Sequence, residues 1–191
     1  GYSVSLSADG TIVAIGAYSH DVDYDNYSGS NEGRTRIYQY SSNTWSQLGQ
    51  DLLGDSGDYS GYSVSLSENG TIVAIGAYGH DHDVNVPGSS NEGRTRIYQY
   101  SSNTWSQLGQ DLLGDNSGDQ SGWSVSLSAD GTIVAIGAVG HDGGKGTTRI
   151  YQYSSNTWIQ LGLDIDGGPN DNSGYSVSLS ADGTIVAIGA Y

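Results

Sequence analysis

The segment His20-Asp21-Val22-Asp23-Tyr24-Asp25-Asn26 places carboxylates at alternate positions, a spacing that could wrap Asp21, Asp23 and Asp25 around a hard cation. A second copy 60 residues on keeps Asp81, Asp83 and Asn85 in register, and a third, in a shorter loop, keeps only Asp142. Ca²⁺ is the cofactor such oxygen ligands would take. The glycine and distal glutamate of an EF-hand are absent, so a solvated acidic loop is the competing reading. His20, His80 and His141 recur directly before an Asp at equivalent places. A metal pair or a proton-transfer pair is the chemical interpretation; a histidine packed at a strand end, with the Asp capping the turn, is the structural one.

Aromatic residues recur as strictly. Trp45, Trp105 and Trp158 fall in one strand of each copy, and Tyr38, Tyr98 and Tyr151 in the strand before it. Exposed rings of this kind stack on sugars, whereas rings at a fixed structural period fill the space between packed units. Arg36, Arg96 and Arg149 share the period and are expected to pair with nearby carboxylates or stack on those rings. Asn26 and Asn69 open N-glycosylation sequons, about as many as a Ser- and Thr-rich chain yields by chance, so they permit a secretory origin without requiring it. No nucleophile elbow, phosphate-binding glycine loop or zinc-protease motif is present, and no enzymatic activity is expected.

These residues are positioned by a repeat. Residues 1–18 recur letter for letter at 174–191, with near-copies starting at Gly61 and Gly122. The units are 1–60, 61–121 and 122–173, followed by the first two strands of a fourth at 174–191. In the first unit, strands are predicted at 2–7, 11–17, 35–40 and 44–48, from runs of β-branched and aromatic residues bounded by Gly, Ser, Asn and Asp. The first strand alternates Tyr2, Val4 and Leu6 with serines, while TIVAIGA is apolar or small on both faces, as in a strand covered from both sides. Short turns join strands one to two and three to four. Four hairpin-linked strands per unit predict an all-β fold, a β-propeller of four-stranded antiparallel blades with about three and a half blades in this chain. Three full units and a two-stranded remainder do not close a ring of complete blades by themselves.

The connection between strands two and three differs in length among the units, as does the link to the next unit, whereas the two tight turns are constant. In an up-and-down sheet the two variable connections share one face. Most of the acidic residues fall in them, so the formal charge of −15 on 191 residues is expected to form an acidic loop face. That charge argues against a nucleic-acid partner. The absence of Cys excludes disulfide scaffolds, thiolate metal sites and thiol nucleophiles, and the composition leaves no apolar run long enough for membrane insertion.

The phrase GYSVSLSADGTIVAIGA followed by GRTRIYQY resembles the FG-GAP repeat of integrin-α-type β-propellers, in which an aromatic-Gly phrase leads to Gly-Ala-Pro and a Gly-x-hydrophobic-Tyr strand. The resemblance covers nearly the whole chain. Two departures are visible. The tight turn is only SADG or SENG where the family has an Asp-rich calcium cage, and Tyr18, Tyr78, Val139 and Tyr191 stand in place of the proline. The resemblance implies a non-catalytic module at the cell surface or outside the cell, used for adhesion, recognition or scaffolding. Its partner would be a protein or glycan ligand at the acidic loop face. Alternatives are a filament or sheath subunit that self-associates through its repeat ends, and a lectin-like propeller.

Overall fold

In the computed structural model, residues 1–21, 30–81 and 90–191 are described; Asp23, Asp25, Asn26, Asp83 and Asn85 of the expected cation loops lie outside them. The first blade contains β1 (Ser3–Leu6), β2 (Ile12–Ala17), β3 (Arg34–Ser41), β4 (Thr44–Gln47) and β5 (Leu52–Leu53). The second contains β6 (Ser63–Leu66), β7 (Ile72–Ala77), β8 (Arg94–Ser101), β9 (Thr104–Gln107) and β10 (Leu112–Leu113). The third contains β11 (Ser121–Leu127), β12 (Ile133–Ala138), β13 (Thr147–Ser154), β14 (Thr157–Gln160) and β15 (Ile165–Asp166), and the chain ends with the hairpin β16 (Ser176–Leu179) and β17 (Val186–Gly189). A short helical turn, α1 (His141–Gly144), lies in the shortened loop of the third blade. The fold is all-β and of the β-propeller type.

Each blade is an antiparallel meander, with β1–β2–β3–β4 in order and β5 pairing the other end of β3. The fourth strand position is therefore split. Gly49, at φ +76°, takes a left-handed conformation open to glycine, and the chain rejoins β3 at Leu52 opposite Thr35. The strand predicted at 44–48 is the first half of this edge. The tight turns follow their sequence: Gly10 at φ +70° closes β1 onto β2, and Ser42 and Asn43, both at positive φ, close β3 onto β4.

The core lies between blades. Ile12, Ala14, Ile37 and Leu52 on the rear of blade 1 pack against Val64, Leu66, Val73, Ile75 and Trp105 on the front of blade 2. The same set recurs between blades 2 and 3. The effect of a neighbour is visible in the IVAIGA strands. All six residues are buried in β7, which has a blade on each side, but only alternate ones in β2, where the front is open. Val4 is 69% exposed and its counterpart Val64 is 9% exposed for the same reason.

Backbone approach between blades is close enough to dictate sequence. A Cβ on Gly76 would stand 2.0 Å from the carbonyl oxygen of Gly122, and one on Gly16 would stand 2.1 Å from that of Gly61. Serines on the other face of the inner strands join the same seam. Ser5 Oγ accepts the Leu66 amide at 2.9 Å, and Ser65 and Ser126 repeat the bond to Leu127 and Leu179 at 3.0 Å.

Candidate recognition face

The two ends of the blades differ. At one end successive tight turns join through backbone bonds from Ala8 to Glu68, from Glu68 to Ala129 and from Ala129 to Ala181. Their carboxylates are occupied locally. Asp9 accepts bonds from the Ser7 hydroxyl at 2.7 Å and from the Thr11 amide and hydroxyl at 2.9 Å, which hold its pKa below the usual value. Asp182, in the same arrangement with Ser180 and Thr184, is held at about 2. A depression of about 640 Å³ lies between these turns, lined by Ala8, Glu68, Asn69, Ala129 and Asp130 among others. Asn69, one of the sequon residues, sits exposed there, and its side chain accepts the Thr71 amide and hydroxyl.

At the opposite end the variable connections run side by side. Gly57 donates to Ser30 at 2.6 Å and Tyr59 to Asn31 at 2.9 Å, so each link loop is bonded to the base of the loop between strands two and three. Asp21 accepts the Asn31 amide at 2.7 Å, and Asp81 accepts that of Asn91. Both carboxylates thus close the bases of their loops.

A continuous arc of aromatic rings follows the inner side of this face. Tyr2, Tyr62, Trp123 and Tyr175, one at the start of each unit, have centroid spacings of 4.9, 4.7 and 5.8 Å. Tyr18 packs edge-on between Tyr2 and Tyr62, and Tyr78 lies between Tyr62 and Trp123. Tyr59 from the link loop stacks on Tyr78 at 5.2 Å and 14°. Val139 replaces the tyrosine in blade 3, and Tyr191 resumes the series against Tyr175 at 5.4 Å. Burial, reinforced by the Tyr2 hydroxyl, pushes the Tyr62 phenol well up, and burial raises that of Tyr78. Sequence reasoning missed it. Tyr2 reads there as a strand residue and Tyr18 and Tyr78 as part of the repeated phrase; the signal in the sequence is that positions 2, 62, 123 and 175 are all aromatic and all open a unit.

Trp45, Trp105 and Trp158 do not belong to this face. Trp105 and Trp158 are 2% and 3% exposed at the outer ends of the interblade cores, where Nε1 donates to the carbonyls of Leu48 at 2.8 Å and Leu108 at 2.7 Å. The preceding blade also clips their backbone: the Gln50 amide bonds both the N–H and the C=O of Trp105, and Gln110 does the same to Trp158. Trp45, with no blade in front of it, is 47% exposed. Each Trp pairs with Tyr40, Tyr100 or Tyr153, directly opposite in register, at centroid distances of 5.1–5.2 Å. Tyr98 and Tyr151 lie beside the cores instead, and burial raises their phenols. Tyr38 lines a small depression with Arg34 and Arg36.

Carboxylates of the link loops are largely committed to arginine. Arg36 bonds Asp51 at 2.9 Å, which lowers that carboxyl. Arg94 holds Asp55 at 2.8 Å, Asp111 at 3.1 Å and the buried Asp58, and Arg96 bridges Asp55 and Asp111. Arg149 holds Asp115 at 2.7 Å and Asp164 at 2.8 Å. The expected acidity of the loop face is thus partly neutralised across the blade seams. His80 Nδ1 meets Asp58 at 2.8 Å and His141 Nδ1 meets Asp119 at 3.2 Å, so each histidine is anchored to the preceding link loop rather than to its own following Asp. His20 lies with Tyr2 and Tyr18 beside a depression of about 410 Å³.

No protein-family model matches the chain, and no curated protein sequence matches it. Solved structures do. Sqt1 from Chaetomium thermophilum aligns with 98% of this chain and 40% of its own at 16% identity and a TM-score of 0.61. A 6-phosphogluconolactonase-like protein from Bacteroides uniformis aligns with 98% and 46% at 11% identity and a TM-score of 0.60. TolB from Acinetobacter baumannii aligns with 97% and 36% at 14% identity and a TM-score of 0.53. The chain therefore spans less than half the length of these structures, and at such identities the likeness is one of fold, a partial β-propeller.

Proposed function

We propose that this chain is a non-catalytic recognition module of extracellular or cell-surface character, binding a protein or glycan through its loop face. The observation that carries this reading is the aromatic arc from Tyr2 to Tyr175, set on the face that also bears the variable loops. Large rings at fixed spacing on a rigid frame bind with little ordering cost, and variable loops around them supply selectivity. The opposite face offers backbone-joined turns whose aspartates are already satisfied. The resemblance to the FG-GAP repeat supports the same reading.

The test is an array of glycans and of cell-surface proteins probed with the chain and with Tyr175→Ser and Trp123→Ser variants. Binding that falls about tenfold or more in both variants supports the reading, in line with the weight that aromatic anchors carry in interfaces. Binding unchanged in both refutes it.

A second reading, the filament or sheath subunit, is favoured by the repetition of the seam, since the same residues join blade 1 to blade 2 and blade 2 to blade 3 and near-identical units can stack without limit. Long fibres in negative stain would select it.

A further inference from the structure

Blade 3 departs from the other two at one place. In blades 1 and 2 an arginine of the third strand stands directly opposite a leucine: Arg34 opposite Leu53 and Arg94 opposite Leu113. In blade 3 the pair is Thr147 opposite Asp166. A cation has been removed from one strand and a carboxylate added to its partner, on the same face of the sheet.

The consequence follows from what Arg94 does. Asp55 and Asp58 of the preceding link loop and His80 of blade 2 present ligand atoms within 4.8 Å of one another, and the guanidinium of Arg94 bonds both carboxylates and also Asp111, the counterpart of Asp164. In blade 3 His141, Asp164 and Asp166 present ligand atoms within 4.8 Å of one another, and no guanidinium arises from position 147. Arg149 reaches only Asp115 and Asp164 among these carboxylates, and its Nη1 has no partner. Lys145 bonds Asp142 and meets Asp166 only through the longer-range attraction of opposite charges.

Two further observations point to a ligand. The Thr147 hydroxyl, on a residue with no exposed surface, has no hydrogen-bond partner and stands across the strand pair from Asp166. Asp119, 2% exposed, fixes His141 through Nδ1 and leaves the other ring nitrogen for a metal, the carboxylate–histidine arrangement that orients ligating imidazoles.

We propose that blade 3 holds a divalent transition-metal ion where blade 2 holds the guanidinium of Arg94, with His141, Asp164 and Asp166 as ligands, Asp119 orienting the histidine and the Thr147 hydroxyl facing the ion. One imidazole and two carboxylates suit Zn²⁺ better than Ca²⁺, which favours all-oxygen shells.

Calorimetric titration of the whole chain with Zn²⁺ and, separately, Ca²⁺ tests this. One Zn²⁺ is expected per chain, bound more tightly than Ca²⁺. Asp166→Leu and Thr147→Arg, which install the residues blade 2 uses, are each expected to weaken Zn²⁺ by about tenfold or more, and Asp119→Asn by about 10- to 100-fold. His80→Gln is expected to leave it unchanged. Circular dichroism verifies that each variant is folded, and Asp166→Leu alone suffices should Thr147→Arg fail to fold. No Zn²⁺ binding, tighter binding of Ca²⁺, Zn²⁺ binding that survives Asp166→Leu, or an equal loss in His80→Gln would each overturn the assignment.

Discussion

The same tryptophan occupies two environments in this chain, which makes Trp105→Ala against Trp45→Ala a controlled measurement of what one blade contributes to the next. Both residues sit in the sequence TWSQLGQDLLGD, opposite a tyrosine in register. Trp105 is enclosed between blades, with its indole N–H on the Leu48 carbonyl and its backbone clipped by Gln50, whereas Trp45 is half exposed. A buried tryptophan removes about 150–250 Å² from water, worth about 4–6 kcal/mol at about 25 cal/mol per Å², and core Trp→Ala changes cost about 3–5 kcal/mol. The orphaned Leu48 carbonyl adds about 1 kcal/mol. Trp45 loses mainly its contact with Tyr40 and part of its burial, so about 1–2 kcal/mol is expected there. Urea unfolding followed by circular dichroism and by fluorescence measures both variants. The two probes are compared because repeat arrays unfold through neighbour-coupled units. Equal costs, within about 0.5 kcal/mol, would refute the claim that stability resides between blades.

The close approach at the inner strands gives a second prediction. Gly76→Ala drives a methyl group into the Gly122 carbonyl, whereas Gly189→Ala, at the equivalent place in the last hairpin, meets chiefly the Ser176 hydroxyl. Thermal unfolding should show the larger loss for Gly76→Ala, about 1–3 kcal/mol or more, and a larger loss for Gly189→Ala would contradict the seam geometry. The third prediction concerns pH. Asp182 is depressed from 3.8 to about 2 by the hydroxyl of Ser180 and by the amide and hydroxyl of Thr184. A carboxyl whose folded pKa lies below its unfolded value contributes stability that is present above pH 4 or so and is lost as the pH falls through about 2. An NMR titration of the Asp182 carboxyl carbon should show a midpoint near 2 that rises in Ser180→Ala; a midpoint near 3.8 in the unaltered chain would sink the turn assignment.

Strand identity was legible because burial obeys period two, and the double-sided burial of β7 is what the apolar TIVAIGA run implies. The split of the fourth strand was not, since Leu52–Leu53 is too short to carry a period and Gly-Gln-Asp before it resembles an ordinary loop. Arg36, Arg96 and Arg149 were readable as carboxylate partners, but which carboxylates was not, because Asp55 reaches Arg94 across 39 residues and a blade boundary. The tyrosine partner of each tryptophan depends on register across the Ser-Asn turn, and that register selects Tyr40, Tyr100 and Tyr153 over Tyr38, Tyr98 and Tyr151. The alternation puts Ser5, Ser65 and Ser126 opposite the apolar face but does not show that they bond the next blade. The substitutions at Thr147 and Asp166 were in plain view in the sequence, yet only the cross-strand pairing shows that they compensate one another in position and not in charge.

The claim that the aromatic arc is the recognition surface is tested most directly by hydrogen–deuterium exchange on the chain with and without a partner captured from the array. Protection is expected at residues 59–62, around Tyr78 and Trp123, and at Tyr175, on the loop face. Protection confined to the tight turns at 8–10, 68–70 and 129–131 would contradict it.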